Sequence, residues 1–440
     1  MSAREVALAV VRDVFSQTEV QRAAQESLDY RLHAAQLDHR DAAFATALAY
    51  GAIKMRRTLD WYLRPYLEQR KAPLPFIIGE IARLGVYEMR FLGAQPYAVV
   101  SQWVNLAKRF GHRGTAGLIN AVLRGFARDN PKPPQREEFL DELEFWAVTY
   151  SFPTWLVRQW HLRFGSTVET LLRGCNDPAQ AALTINRKKI DRAGALEKLQ
   201  ERGIAARTSP FAHDSVLIQP DGAPRRALAS GDGSWWTQSE SSAMVADVLH
   251  PHAGERIADL CSGRGNKALQ IASRLGDEDT VVCVERDARK AAQLERRARE
   301  ASLCAAAVVA DATRPLPGMR FDRILLDAPC SGTGVVGRHP EARWRKHSDD
   351  GERLAVLQAS LLEAASAMLY EGGAIVYAVC SIDPRETTAV VDGLVRGGML
   401  DRGLVPERFR PFQTPEGDVI VPPGVEGRDG FFISRLERRA

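Results

Sequence analysis

Two fragments of this sequence each carry an apolar run into a cysteine. One reads LLDAPCSGTG over 325–334, the other YAVCSIDP over 377–384. The first sets a carboxyl group, Asp327, three residues ahead of a thiol, Cys330; the second ends its run on Cys380. A thiolate adds readily to an electron-poor carbon, and a carboxyl group beside it can hold the atom that takes up charge. C6 of a cytosine is such a carbon. Addition there makes C5 nucleophilic enough to take an electrophilic methyl group, if N3 is protonated or hydrogen-bonded at the same time. Release then needs loss of the C5 proton and expulsion of the thiol, which calls for a second assisting group. Cys380, Asp327 and Cys330 supply such a set if their strands are neighbours. Because a free thiol is mostly protonated at neutral pH, the site must favour the thiolate, through a helix N-terminus or a nearby cation.

The elements that would position these groups begin at Ser234. RIADLC, TVVCVE, AAAVVA, FDRILLDA and GGAIVYAVC read as near-continuously apolar strands, with helical segments such as KALQIASRL between several of them. That rhythm predicts a parallel sheet covered on both faces, with ligands bound beyond the carboxyl ends of the strands. After the first strand come Cys261, Ser262, Gly263, Arg264, Gly265, Asn266 and Lys267, a glycine turn whose backbone N–H groups can approach a ligand at a helix N-terminus. Glu285 ends the second strand, where a carboxylate can take both hydroxyls of a ribose. Asp311 follows the third and suits an adenine amino group. Each alone reads as well as a helix N-cap. All three in register favour a nucleoside cofactor.

Composition sets the frame. A chain of 440 residues, 45% hydrophobic, is too long for one ordinary core, so two or three domains are expected. No apolar run is long enough to cross a bilayer and no secretion leader is visible, so a soluble cytoplasmic protein without a membrane partner is expected. Cysteines stand at 175, 261, 283, 304, 330 and 380 with no CxxC pair and no histidines at zinc spacing. Neither a structural metal nor a disulfide framework is expected. Cys175, Cys261, Cys283 and Cys304 are read as small packed hydrophobes. Residues 1–130 carry 18 Lys and Arg against 12 Asp and Glu, the remainder 41 against 43. The basic first third suits a polyanion, with Lys108, Arg109, Arg113, Arg124 and Arg128 towards phosphate; a solvated arginine-rich face explains the charge equally well.

Residues 1–130 read as helices throughout. AREVALAVVRDVF, HRDAAFATALAYGAIKMRRTLDWYL, FIIGEIARLGVYEMRFL, PYAVVSQWVNLAKRF and TAGLINAVLRGFARD repeat apolar residues at helical spacing, separated by KAPLP, GAQP and GHRG. This is an all-α bundle ending at the linker NPKPPQ. Residues 140–230 read as a small α/β connecting region, with LTINRKKI and SVLIQP as strands and ALEKLQERGI as a helix. The α/β domain then occupies 234–440.

LLDAPCSGTG, the RHPEARWR that follows, YAVCS, the closing DGFFISRLER and INAVLRGF in the last helix of the bundle resemble the Sun/Fmu (RsmB-type) RNA cytosine-5 methyltransferases of the wider NOL/NOP/Sun group. The resemblance spans essentially the whole chain. It implies a NusB-like helical domain, a connecting region and a Rossmann-like methyltransferase domain that uses S-adenosylmethionine. It further implies that Cys380 is the nucleophile, that Cys330 assists release, and that Asp327 orients the cytosine near N3 while touching the cofactor. The loop 261–267 with Glu285 and Asp311 would hold the cofactor, and the substrate would be one cytidine of 16S ribosomal RNA.

Two departures stand out. The family's cofactor loop usually reads DxCAAPGGKT, whereas this chain has DLCSGRGNKA, with Arg264 for Pro and Asn266 for Gly; Val379 replaces the common Thr before the nucleophile. Arg338, His339, Trp344 and Arg345 line an RNA path in one reading, with Trp344 as a stacking surface, and pack a loop in the other. The target base must leave its stack, so single-stranded or loop RNA is the easier substrate. A monomer is expected. Three alternatives compete: a non-catalytic RNA-binding ribosome-assembly factor, supported by Arg264 and Asn266; a cytosine-5 methyltransferase acting on tRNA; and one acting on DNA, with Cys330 as nucleophile. The bundle and Cys380 argue against DNA, and the Asp/Asn-Pro-Pro-aromatic run of an amino-group methyltransferase is absent.

Overall fold

A computed structural model describes residues 1–16, 21–68, 73–219 and 228–438. Lys71 and Ala72 of the breaker KAPLP, and Pro220 of SVLIQP, lie outside the described residues. The chain divides into two compact units, Met1–Asn176 with His339–Arg345, and Asp177–Arg338 with Lys346–Ala440.

The first unit is helical: α1 (Ala3–Phe15), α2 (Ala24–Ala35), α3 (His39–Lys54), α4 (Arg56–Leu67), α5 (Phe76–Arg90), α6 (Pro96–Phe110) and α7 (Arg113–Asp129). Helical spacing brings Val6 and Val10 of α1, Leu48 of α3, Leu84 of α5, Trp103 of α6 and Leu123 of α7 into one core. A Ser2–Glu5 capping box starts α1, Pro96 opens α6, and left-handed Asn130 ends α7. The long pattern from His39 is two helices, because the chain turns at Met55 (φ −89, ψ 17) while its N–H still reaches the Gly51 carbonyl. Sequence reading missed α2, which buries only Ala24, Ser27 and Leu28 and so shows little apolar periodicity. Three shorter helices, α8 (Glu142–Thr149), α9 (Thr154–Phe164) and α10 (Val168–Gly174), also belong to this unit.

The second unit opens with β1 (Ala182–Ile185), α11 (Arg192–Glu201), β2 (Ala206–Thr208), β3 (Ser215–Ile218) and β4 (Trp235–Thr237), an antiparallel sheet in the order β2-β3-β1-β4. Leu183, Ile185, Val216 and Ile218 pack against Ala195 and Leu199 of α11.

The larger sheet contains β5 (Ile257–Asp259), β6 (Val281–Glu285), β7 (Ala305–Val309), β8 (Phe321–Asp327), β9 (Leu369–Val379), β10 (Leu400–Arg402), β11 (Val419–Val421) and β12 (Phe431–Arg438). Its order is β10-β12-β9-β8-β5-β6-β7, with β11 on β12. Strands β5 to β9 pair in parallel. Their apolar runs follow from burial of both faces: Leu325 and Val376 join one core, Ile324, Leu326, Ile375 and Tyr377 the other. The five strands read from the sequence therefore form the parallel part of the sheet, and further strands extend it. DGFFISRLER returns antiparallel on β9 (Phe432 opposite Val379), and β10 and β11 pair antiparallel with it, so the sheet is mixed. Strand order reverses between β5 and β8, the switch point at which open α/β sheets bind ligands.

Candidate active site

Cys330 lies three residues beyond β8 and Cys380 directly follows β9, and these strands pair in register with Asp327 opposite Ala378. The register brings the two sulfurs to 3.3 Å. The Gly334 N–H donates to the Cys380 carbonyl at 3.0 Å, and a Cβ on Gly334 would overlap the Gly430 carbonyl, so only glycine lets the backbone approach this closely.

The hydrogen bond to Cys380, then burial, pushes the Cys330 thiol well above the ordinary thiol range. Either sulfur can donate to the other across this contact. Of the other cysteines, Cys175 and Cys283 are buried, and burial pushes the Cys261 and Cys283 thiols upward, away from reactivity.

Asp327 accepts from Lys267 Nζ at 2.6 Å. Lys267 is itself buried, its ammonium 5.2 Å from the centre of the Phe431 ring. The sequence placed Lys267 only in the cofactor loop; its ammonium holds the Asp327 carboxylate in a fixed orientation. Asp259, at the end of β5, is fully buried and pushed up to about 7 by burial and then by the nearby Asp327 charge, against the pull of Lys267. Sequence reading gave Asp259 no role.

The loop after β5 is closed by its own polar groups. Ser262 Oγ donates to the Asp259 carbonyl at 2.8 Å, and the Gly263 N–H to Glu285 Oε2 at 2.9 Å. Glu285 Oε1 accepts from the Asp287 N–H at 2.8 Å, so each carboxylate oxygen retains a lone pair for a ligand hydroxyl. Gly265 sits at φ +85, and a Cβ there would come within 2.6 Å of Leu294 Cγ. The two departures from the usual loop share one partner. Arg297, on the helix Ala288–Ala301, donates to the Arg264 carbonyl at 2.6 Å and to Asn266 Oδ1 at 2.7 Å. Arg297 was invisible in the sequence, since nothing local ties it to the loop. Asp311 Oδ1 accepts from the Thr313 N–H at 3.0 Å and its hydroxyl at 2.8 Å, which hold the carboxyl below its usual range.

The RNA-facing residues divide. Lys108, Arg113 and Arg124 are exposed on α6 and α7. Arg109 is bonded to Glu5, and Arg128 to Asp129 at 2.8 Å. Arg338 binds Asp429 at 3.0 Å and the Gln180 carbonyl at 2.9 Å, and His339 is half-buried. Of the two readings open for Trp344 and Arg345, the contacts favour packing: Trp344 Nε1 donates to the Ile53 carbonyl at 2.7 Å, and Arg345 to the Val14 and Arg22 carbonyls at 2.6 and 2.5 Å. Those donors are consumed inside the helical unit, which is the loop-packing role.

The strand order, the glycine turn at the switch point and the carboxylates at successive strand ends define a Rossmann-like α/β domain with a dithiol at its mouth. Residues 246–437 match the family model of the 16S rRNA methyltransferase RsmB/F, residues 1–128 the NusB family, and residues 152–222 the ferredoxin-like domain of RsmF/B-like methyltransferases. The chain is 35% identical over 418 residues to ribosomal RNA small subunit methyltransferase B of Thermus thermophilus, covering 94% of this chain and 93% of that one. It is 31% identical over 418 residues to the probable ribosomal RNA small subunit methyltransferase B of Bacillus subtilis, covering 92% of each. The crystal structure of PH0851 has the same fold over 100% of this chain and 99% of that one, with TM-score 0.83 at 20% identity. NSun6 from Pyrococcus horikoshii, solved with SFG, covers 66% of this chain and 99% of its own, with TM-score 0.59 at 18% identity. This chain belongs to the RsmB/F family of 16S rRNA methyltransferases. No helix among the described residues is long and apolar enough to cross a membrane.

Proposed function

We propose that this protein transfers a methyl group from S-adenosylmethionine to C5 of a cytidine in 16S ribosomal RNA, through a covalent bond between Cys380 and C6. The observation that carries the reading is the pair of thiols at 3.3 Å, at adjacent strand ends, beside a carboxylate fixed by Lys267. The residues present fit the cofactor: a glycine turn with no room for side chains at 265, Glu285 with free acceptor capacity, and Asp311 at the next strand end. When bound, the cofactor supplies an electrophilic methyl group. Asp327 orients the base near N3. The Cys380 thiolate forms the S–C6 bond, and the C5–C6 electron pair becomes available at C5. After methylation the C5 proton leaves, the S–C6 bond breaks and the ring double bond returns, with Cys330 assisting. Exposed Lys108, Arg113 and Arg124 supply phosphate contacts.

The assembly-factor alternative rested on Arg264 and Asn266. Arg297 bonds the Arg264 carbonyl and the Asn266 side chain, and a loop ordered in this way supports the catalytic reading over that alternative. Arg297→Ala is expected to weaken S-adenosylmethionine binding about tenfold, or about 1.4 kcal/mol. Titration calorimetry reads this directly, and unchanged affinity would remove Arg297 from the loop's support.

The whole reading is tested by incubating the protein with unmodified 16S rRNA and methyl-labelled S-adenosylmethionine, then digesting the RNA and analysing nucleosides by mass spectrometry. Label in 5-methylcytidine is expected. Label in any other nucleoside, or label only in tRNA or DNA when those are offered instead, rejects it.

A further inference from the structure

Glu386 is fully buried and lies outside the proposed catalytic set of Cys380, Cys330 and Asp327. Its Oε1 accepts from the Ser331 N–H at 2.8 Å and from Gln358 Nε2 at 3.1 Å. Its Oε2 accepts from the Ser381 hydroxyl at 2.6 Å and also from the Ser331 hydroxyl. Ser331 and Ser381 are the residues that follow Cys330 and Cys380. Their hydroxyls lie 3.1 Å apart, and Thr333 Oγ1 is 3.1 Å from Ser381 Oγ. The Glu386 carbonyl accepts from Tyr377 OH of β9 at 2.6 Å, and Gln358 Nε2 also reaches the Pro329 carbonyl, next to Cys330, at 2.9 Å.

A buried carboxylate costs free energy unless its oxygens are fully bonded, and an apolar side chain would fill the same space more cheaply. What an apolar residue cannot do is accept from both loops at once. The two ties to Ser331 and Ser381 are symmetrical about the sulfurs: each lies one residue beyond a thiol. We propose that Glu386 is the positioning residue of the dithiol, its one carboxylate fixing the residues after both cysteines and so setting the two sulfurs against a common substrate atom. This rests on the reading that both thiols act on one base. The Glu386 charge also helps to push the neighbouring Cys330 and Tyr377 upward, while Arg385, beside it in sequence, is engaged by Asp383.

The test uses the full-length chain with Glu386→Ala, Glu386→Gln and Ser381→Ala. Diamide oxidises the two thiols to one disulfide, taking two electrons and two protons, and peptide mapping reads the rate of 330–380 closure without any methyl transfer. Glu386→Ala is expected to slow closure about tenfold and to lower kcat on RNA about a hundredfold with KM unchanged, the scale of a misplacement of about 1 Å. Glu386→Gln is expected to restore part of both, and to shift the pH midpoint of Cys330 alkylation downward by removing the charge. Native closure rates and alkylation profiles in folded Glu386 variants overturn the proposal. If neither Glu386 variant folds, Ser381→Ala decides: unchanged closure and kcat overturn it. A wild-type protein that makes no 5-methylcytidine fails the functional reading alone, and the closure and alkylation data still judge Glu386.

Discussion

Purified Cys330→Ala protein is expected to carry covalently attached RNA on a denaturing gel, and the Cys330→Ala/Cys380→Ala double variant to carry none. Under the proposed mechanism Cys380 attacks and Cys330, 3.3 Å away and with its thiol pushed upward, assists release. With Cys330 gone, the S–C6 bond still forms, but the group that assists its breakage is missing and the adduct accumulates. Turnover should fall by on the order of 10²–10⁴, the range for losing a positioned acid–base group. Cys380→Ala should lose at least on the order of 10⁴ in kcat, because a removed nucleophile leaves only binding and orientation. Sequencing the trapped RNA then names the cytidine. The opposite pattern, RNA on Cys380→Ala and none on Cys330→Ala, would reverse the two roles. No adduct on any variant, with rRNA and S-adenosylmethionine supplied, would sink the covalent mechanism while leaving membership of the family untouched.

That the two thiols would be neighbours was readable because both fragments end apolar runs, and runs buried on both faces belong to a parallel sheet. The glycine turn at 263–265, Glu285 and Asp311 could be placed in register for the same reason: each closes or soon follows a strand. Periodicity reports burial, and where burial is slight, as in α2, it is silent. It also leaves strand direction open, so the antiparallel return of β12 on β9 was not visible in DGFFISRLER. Lys267, Arg297 and Glu386 lay beyond reach for another reason. Each reaches a partner 31 to 60 residues away in sequence, Lys267 to Asp327, Arg297 to Asn266 and Glu386 to Ser331, and hydrogen-bond partners at that separation leave no local pattern. RHPEARWR left two readings open, an RNA path and loop packing. Three arginines and a tryptophan in a polar loop look like an RNA surface, yet His339–Arg345 belongs to the helical unit, and its donors are spent there.

Arg343, in the middle of that segment, carries the largest stability prediction. It is fully buried. One guanidinium nitrogen donates to the Ser151 carbonyl at 3.1 Å and Asn176 Oδ1 at 2.8 Å, the other to the Cys175 carbonyl at 3.1 Å. Its centre lies 3.8 Å from the centre of the Phe152 ring. Cys175 follows the end of α10 and Ser151 the end of α8, so the cation sits where the carbonyl ends of helices gather negative potential. Burial lowers its pKa to about 10, which leaves it charged at neutral pH. Arg343→Ala removes that cation and leaves several buried carbonyls without a donor, an expected loss of about 3–5 kcal/mol. For a unit of this size, that is a fall of roughly 10 °C in melting temperature, read by calorimetry with exposed Arg128→Ala as the control. Arg343→Lys should recover only part, since an ammonium cannot reproduce the planar fork that serves carbonyls in different directions. If the segment were instead an RNA surface, Arg343→Ala would melt like wild type and lose RNA affinity with a shallower salt dependence. Stability measured without RNA therefore separates the two roles.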